Sequence, residues 1–155
     1  PEGCVADDRT GRLFVGEEDV GVWVMAASPD AATTRELVVR AEPPLAADIE
    51  GLALHGSEFL LVSSQGNHRF AVLDTAPPYR LFGTFTVARD ADTGVGSVRD
   101  TDGVAVSAHD FGPDFPQGLV VLQDGRNAPE NQNFKYLHWG QVVEALGLGE
   151  TTDRE

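Results

Sequence analysis

Two carboxylates separated by one apolar residue, Asp48-Ile49-Glu50, run directly into Gly51. The arrangement returns as Asp100-Thr101-Asp102-Gly103, and in shorter form as Glu2-Gly3. In an extended chain residues two apart point to the same side, so Asp48 and Glu50 share a face, as do Asp100 and Asp102. Carboxylates crowded into one space repel unless something neutralises them. Oxygen donors with no His or Cys partner favour a hard cation, Ca²⁺ before Mg²⁺. Other chemistries find little support. His55, His68, His109 and His138 have no zinc-like spacing. There is no Gly-x-Ser-x-Gly elbow. Gly94-Val95-Gly96 does not sit between a strand and a helix, as a nucleotide loop would. Taken singly, each acid also reads as a strand-end or turn residue on a solvated rim; the repetition in register favours a shared site.

The elements that must position these acids repeat with them. After each acid-Gly pair comes an apolar strand: Gly3-Cys4-Val5-Ala6, Gly51-Leu52-Ala53-Leu54, and Gly103-Val104-Ala105-Val106. A second apolar run follows each time and ends in polar residues: Leu13 to Asp19, Phe59 to Asn67, and Leu119 to Gly125. The spacing, roughly 50 residues, is typical of propeller blades. Three units result: residues 1–44, 45–91 and 100–148. The first continues with strands over Val20 to Ala26 and Leu37 to Val39, with a short helix over Ala31 to Glu36 as the competing reading. The second has strands Gly51 to His55, Glu58 to Ser63, Arg69 to Asp74 and Leu81 to Val87. Residues 90–99 form a Gly- and Asp-rich loop. The third carries a long loop, His109 to Gln117, a strand over Asn133 to His138, and a short helix over Gly140 to Leu146. Glu150 to Glu155 is polar and expected to fray. The expected fold is all-β: a β-propeller of about three antiparallel blades with one short C-terminal helix. Equivalent positions of a propeller converge on one end of its channel. That brings Glu2, Glu50 and Asp102 together, with Glu17 or Glu18 near them.

The 155 residues suffice for one ordinary domain or part of a larger one. A formal net charge of -14 argues against nucleic acid as a partner, because a phosphate backbone needs a basic surface. No apolar run approaches ~18 residues, so no membrane-spanning helix is expected. The chain starts at Pro1 without a leader-like segment, and a processed or cut N-terminus is expected. Cys4 is the single cysteine, lies in an apolar strand, and is expected to be a small buried side chain.

Seven motifs, in order, carry a family resemblance: Pro1-Glu2-Gly3-Cys4-Val5, Glu17-Glu18-Asp19, Asp48-Ile49-Glu50-Gly51-Leu52, Ser63-Ser64-Gln65-Gly66-Asn67, Asp100-Thr101-Asp102-Gly103, Gln123-Asp124-Gly125 and Asn131-Gln132-Asn133-Phe134-Lys135. Together they resemble the β-propeller phytases, the calcium-dependent alkaline phytases of bacteria. The resemblance implies a six-bladed ring of which this chain is similar to the C-terminal half, the N-terminal blades being its missing partner. It implies a 3-phytase-type hydrolase, removing phosphate from phytate (myo-inositol hexakisphosphate) by a metal-activated water. Carried over residue by residue, the active-site and Ca²⁺-binding carboxylates are Glu2, Glu18, Asp48, Glu50 and Asp102, with Asp92 a candidate for a separate structural calcium. Gln123, Asp124, Asn131 and Asn133 match the pattern without an assigned role. The family's phosphate-gripping Lys and Arg residues lie mostly in the N-terminal half, and Lys135 is the only Lys here. A secreted or periplasmic location is implied as well. The competing readings are another calcium-dependent propeller hydrolase, such as a lactonase, and a non-catalytic calcium-binding propeller piece.

Overall fold

The computed structural model describes residues 1–32 and 34–150. The first sheet contains β1 (Cys4–Asp7), β2 (Arg12–Glu17), β3 (Gly21–Ala26) and β4 (Arg35–Arg40). The second contains β5 (Ile49–His55), β6 (Phe59–Ser64), β7 (Arg69–Asp74) and β8 (Leu81–Phe85). The third contains β9 (Val104–Ser107), β10 (Leu119–Asp124) and β11 (Asn133–His138), and α1 (Trp139–Leu146) follows it. Every strand pairs antiparallel with its neighbour in sequence, giving three up-and-down sheets. The fold is therefore all-β and built of propeller blades, with one short C-terminal helix. Among the described residues no helix is long and apolar enough to cross a membrane.

The second sheet packs on both faces, so both sides of its strands are apolar. Side chains alternate along a strand. Leu60, Val62, Ala71 and Leu73 enter one core with Phe14, Val22 and Val24 of the first sheet. Leu61, Phe70 and Val72 enter the other core with Val120 and Leu122 of the third sheet and Trp139 and Val142 of α1. The innermost strands lie side by side, β1 against β5 and β5 against β9.

One alternative is settled in favour of the expected strand, and two expectations change. Arg35–Arg40 is a strand with no helix, because it pairs with the free side of β3, from Gly21↔Arg40 to Met25↔Arg35. β8 stops at Phe85, before Val87, whose carbonyl instead accepts the Val98 N–H at 3.1 Å. Cys4 is exposed. It shares a face of β1 with Ala6, also exposed, while Val5 and Asp7 turn inward. An apolar strand at the edge of a sheet buries only the face its neighbours cover. The expected fraying falls on residues 151–155, outside the described residues.

Candidate active site

The glycine in the first two acid-Gly pairs lets the next blade approach. A Cβ on Gly3 would lie 2.3 Å from the Glu50 carbonyl oxygen, and one on Gly51 would lie 2.5 Å from that of Asp102. Each acid's backbone thus packs into the space left by the glycine of the preceding repeat. This contact sets Glu2, Glu50 and Asp102 at equivalent points along one line of adjoining strands.

Glu50 is at the centre. In the pairing of β5 with β6, Ile49 faces Ser64 and Leu52 faces Val62, so Glu50 and Gly51 together oppose Ser63 alone. Such a bulge re-aims the side chain it carries. Glu50 is 9% exposed. Burial, then the negative charges of Glu2, Asp102, Glu18 and Asp48, push its carboxyl from the ordinary value of 4.5 up to about 7. Glu2, Glu18, Asp48 and Asp102, the other acids that sequence and resemblance named, thus lie near enough to act on Glu50. Asp92 stands apart, in an exposed turn where the Asp90 carboxylate accepts the N–H groups of Asp92 and Thr93 at 2.8 and 3.2 Å. The choice between Glu17 and Glu18 is also resolved. Glu17 accepts the Trp23 indole N–H at 2.6 Å and pairs with Arg35 at 3.7 Å, whereas Glu18 acts on Glu50.

Sequence reasoning assigned no work to the residues that hold these acids in place. The Ile49 N–H donates to the Glu18 carbonyl at 3.0 Å, tying the turn of the first blade to the start of β5. The Ser63-Ser64-Gln65-Gly66-Asn67 stretch clamps two acid-bearing segments. The Ser63 hydroxyl donates to the Thr101 carbonyl at 2.7 Å. The Ser64 hydroxyl accepts the Ala46 N–H at 2.8 Å, and the Asn67 amide donates to the Pro44 carbonyl at 2.9 Å. Gln65 donates its backbone N–H to the Asp48 carbonyl at 2.8 Å and its side-chain amide to Asp102 at 2.5 Å. From the third blade the Gln123 side chain accepts the Asp102 N–H at 2.8 Å. Their signal in the sequence was position: Ser63, Gln65 and Gln123 lie at or just past the end of the second strand of a repeat.

Asp124, Asn133 and Lys135 have a structural job. Lys135 is buried and lies 3.2 Å from Asp124, while its ammonium donates to Asn133 at 2.6 Å and Asn127 at 3.0 Å. The other Asp124 oxygen accepts the N–H groups of Arg99 and Arg126. Asn131 enters through its carbonyl, which accepts the Asn127 amide at 2.9 Å.

The sequence model of the family described as Phytase matches residues 1–155. The chain belongs to the phytase family. It is 37% identical over 155 residues to the 3-phytase of Bacillus subtilis (strain 168), an alignment covering 94% of this chain and 40% of that protein. The chain thus spans about two fifths of the length of this phytase relative. In this family member the acids fit a hard cation by donor chemistry. All five offer oxygen only, and none is paired with a Lys, Arg or His among the described residues. Among the described residues no three or more His, Cys, Asp or Glu side chains lie close enough together to hold a metal ion by themselves.

Proposed function

We propose that the protein carrying this chain hydrolyses phosphate monoesters of phytate, with calcium held by Glu2, Glu18, Asp48, Glu50 and Asp102. One observation carries the reading: Glu2, Asp102, Glu18 and Asp48 all act on the buried Glu50, whose carboxyl is pushed up to about 7, and none of the five has an ion-pair partner among the described residues. Such a cluster is an electrostatic liability unless a cation completes it. Membership of the phytase family and the likeness to a 3-phytase support the substrate. Bound calcium supplies positive charge for phosphate oxygens and lowers the pKa of a coordinated water, which a slow reaction such as phosphate-monoester hydrolysis requires.

The chain's own residues position and insulate the site. Gln65 and Gln123 hold Asp102 from its side chain and its backbone, so its carboxylate cannot swing away. Ser63 fixes the backbone immediately before it. Glu50 sits in the bulge of β5, largely out of bulk water. The remaining blades, with further phosphate-binding cations, belong to the rest of the protein in this reading, which also places it in the periplasm or outside the cell.

The test is phosphate release from phytate by the full-length protein, with and without a calcium chelator. Wild type, Asp48→Ala, Glu50→Ala and the exposed β4 control Glu36→Ala are compared. Chelation should abolish release, and the two site variants should lose at least about tenfold, as removal of metal-site groups commonly does. Glu36→Ala should stay near wild type. Full activity in chelator, or equal loss in all three variants, would sink the reading.

A further inference from the structure

We propose that Trp23 and Arg35 are positioning residues for Glu18, acting through its neighbour Glu17. The inference rests on the calcium-holding reading of Glu18 and its fellow acids. The turn from β2 to β3 carries three acids in a row, Glu17-Glu18-Asp19, and of these Glu18 is the one that acts on Glu50. Neighbouring carboxylates repel, so Glu18 keeps one direction only if Glu17 is held in another.

Glu17 is held from two sides. The Trp23 indole N–H donates to its carboxylate at 2.6 Å, and Arg35 lies 3.7 Å from the same oxygen. The Arg35 guanidinium also lies over the Trp23 ring, 4.1 Å from its centre, a cation–π contact that fixes the ring as a donor. The three residues come from three strands: Glu17 ends β2, Trp23 lies in β3, and Arg35 opens β4. The register lets them meet. Glu17 pairs with Gly21 and Arg35 with Met25, two residues to either side of Trp23 and on its face of β3. Such diagonal neighbours are within reach of long and aromatic side chains.

The backbone of the same turn is tied at both acids. The Val20 N–H donates to the Glu17 carbonyl at 2.9 Å, and the Ile49 N–H donates to the Glu18 carbonyl at 3.0 Å. With the Glu17 side chain anchored on the first sheet and the Glu18 carbonyl tied to the start of β5, the Glu18 carboxylate is left to the acid cluster. A hydrogen bond to a carboxylate is charge-assisted, so the indole is the stronger hold. The Arg35 contact is longer and half-exposed, which makes it the weaker one.

The experiment uses the full-length protein as wild type, Trp23→Phe, Arg35→Ala, Glu17→Ala, Glu17→Gln and the double variant Trp23→Phe/Glu17→Ala. Calcium affinity is measured by calorimetry. Amide hydrogen exchange of residues 17–21 and of Ile49 is followed in chelator. Trp23→Phe keeps an aromatic ring and removes the donor. It should weaken calcium binding about tenfold, as loss of a group that orients a metal ligand commonly does, and should speed exchange of the Ile49 amide. Glu17→Ala should do the same, and the double variant should lose no more than either single one, because both break one hydrogen bond. Glu17→Gln keeps an oxygen for the indole N–H and should recover most of the affinity lost in Glu17→Ala. Arg35→Ala should fall between wild type and Trp23→Phe; wild-type behaviour strikes Arg35 from the proposal. Wild-type affinity in Trp23→Phe overturns the positioning role. So does equal loss in Glu17→Gln and Glu17→Ala, which would make Glu17 a calcium ligand itself. A wild type that binds no calcium overturns the calcium reading alone. The Ile49 amide then still decides the positioning role: faster exchange in Trp23→Phe supports it, and unchanged exchange overturns it.

Discussion

Between the ordinary glutamate range and pH 7, folded Glu50 keeps a proton that the unfolded chain has released. The native state then binds more protons than the unfolded one, so stability falls as pH rises through this window. With calcium removed by chelator, the melting temperature should therefore decline between about pH 4.5 and pH 7. Glu50→Gln should flatten that decline and raise the melting temperature at pH 8, while phosphate release is lost. A wild-type melting curve insensitive to pH across the window would show that Glu50 does not feel the other four acids. Gly51 is the complementary case. A Cβ there meets the Asp102 carbonyl oxygen at 2.5 Å and the Val104 nitrogen at 2.8 Å, both backbone atoms that cannot swing aside. Gly51→Ala should force β5 and β9 apart at a cost of about 1–3 kcal/mol, typical of overpacking, read from denaturant unfolding.

The third sheet depends on one buried pair. The Lys135 and Asp124 side chains are 8% and 1% exposed, and Asp124 also receives the backbone of the segment leading to Asp102. Removing one partner of a buried pair leaves an uncompensated charge. Lys135→Met should accordingly destabilise the fold by about 3–5 kcal/mol, and adding Asp124→Asn should restore part of it. If Lys135→Met unfolds at the wild-type denaturant concentration, the pair is not what holds this blade. α1 belongs to the same blade, and its Trp139 stacks on His55 of β5 at 3.9 Å, joining the helix to the second sheet.

Among the described residues only the second sheet is covered on both faces. Phe134 and Tyr136 are 63% and 66% exposed on edge strand β11, and Cys4 and Ala6 are exposed on β1. Uncovered apolar residues and unpaired strand edges invite association. The 155-residue chain by itself should sediment as oligomers in dilute buffer; a stable monomer with a sharp reversible melt would contradict this. In the full-length protein, calcium that binds only the folded form should stabilise it by about 2.7 kcal/mol at a hundredfold excess over Kd, read as a melting temperature that rises with calcium and falls with chelator.

The sequence by itself determined the three acid-Gly repeats, the strand alternation of the second sheet, and the recurrence of Glu2, Glu50 and Asp102 at one position of the repeat. Those features are periodic, and period is what a strand and a repeated blade impose on residue type. Only the tertiary structure decided the rest. Cys4 reads as a buried strand residue, but its exposure depends on what lies across the sheet from it. Residues 31–36 fit a helix start locally, yet β3 offered residues 35–40 a hydrogen-bonded edge, and that long-range pairing prevailed over local preference. The choice of Glu18 over Glu17 and the clamps that Ser63 and Gln65 make on the segment of Asp102 involve partners in different repeats, while the bulge that isolates Glu50 and the Gln123 clamp join separate segments within one. A local pattern can say that a residue is polar and follows a strand. It cannot say which of two adjacent carboxylates turns toward a neighbouring blade, because that is fixed by the contact between blades and not by either sequence alone.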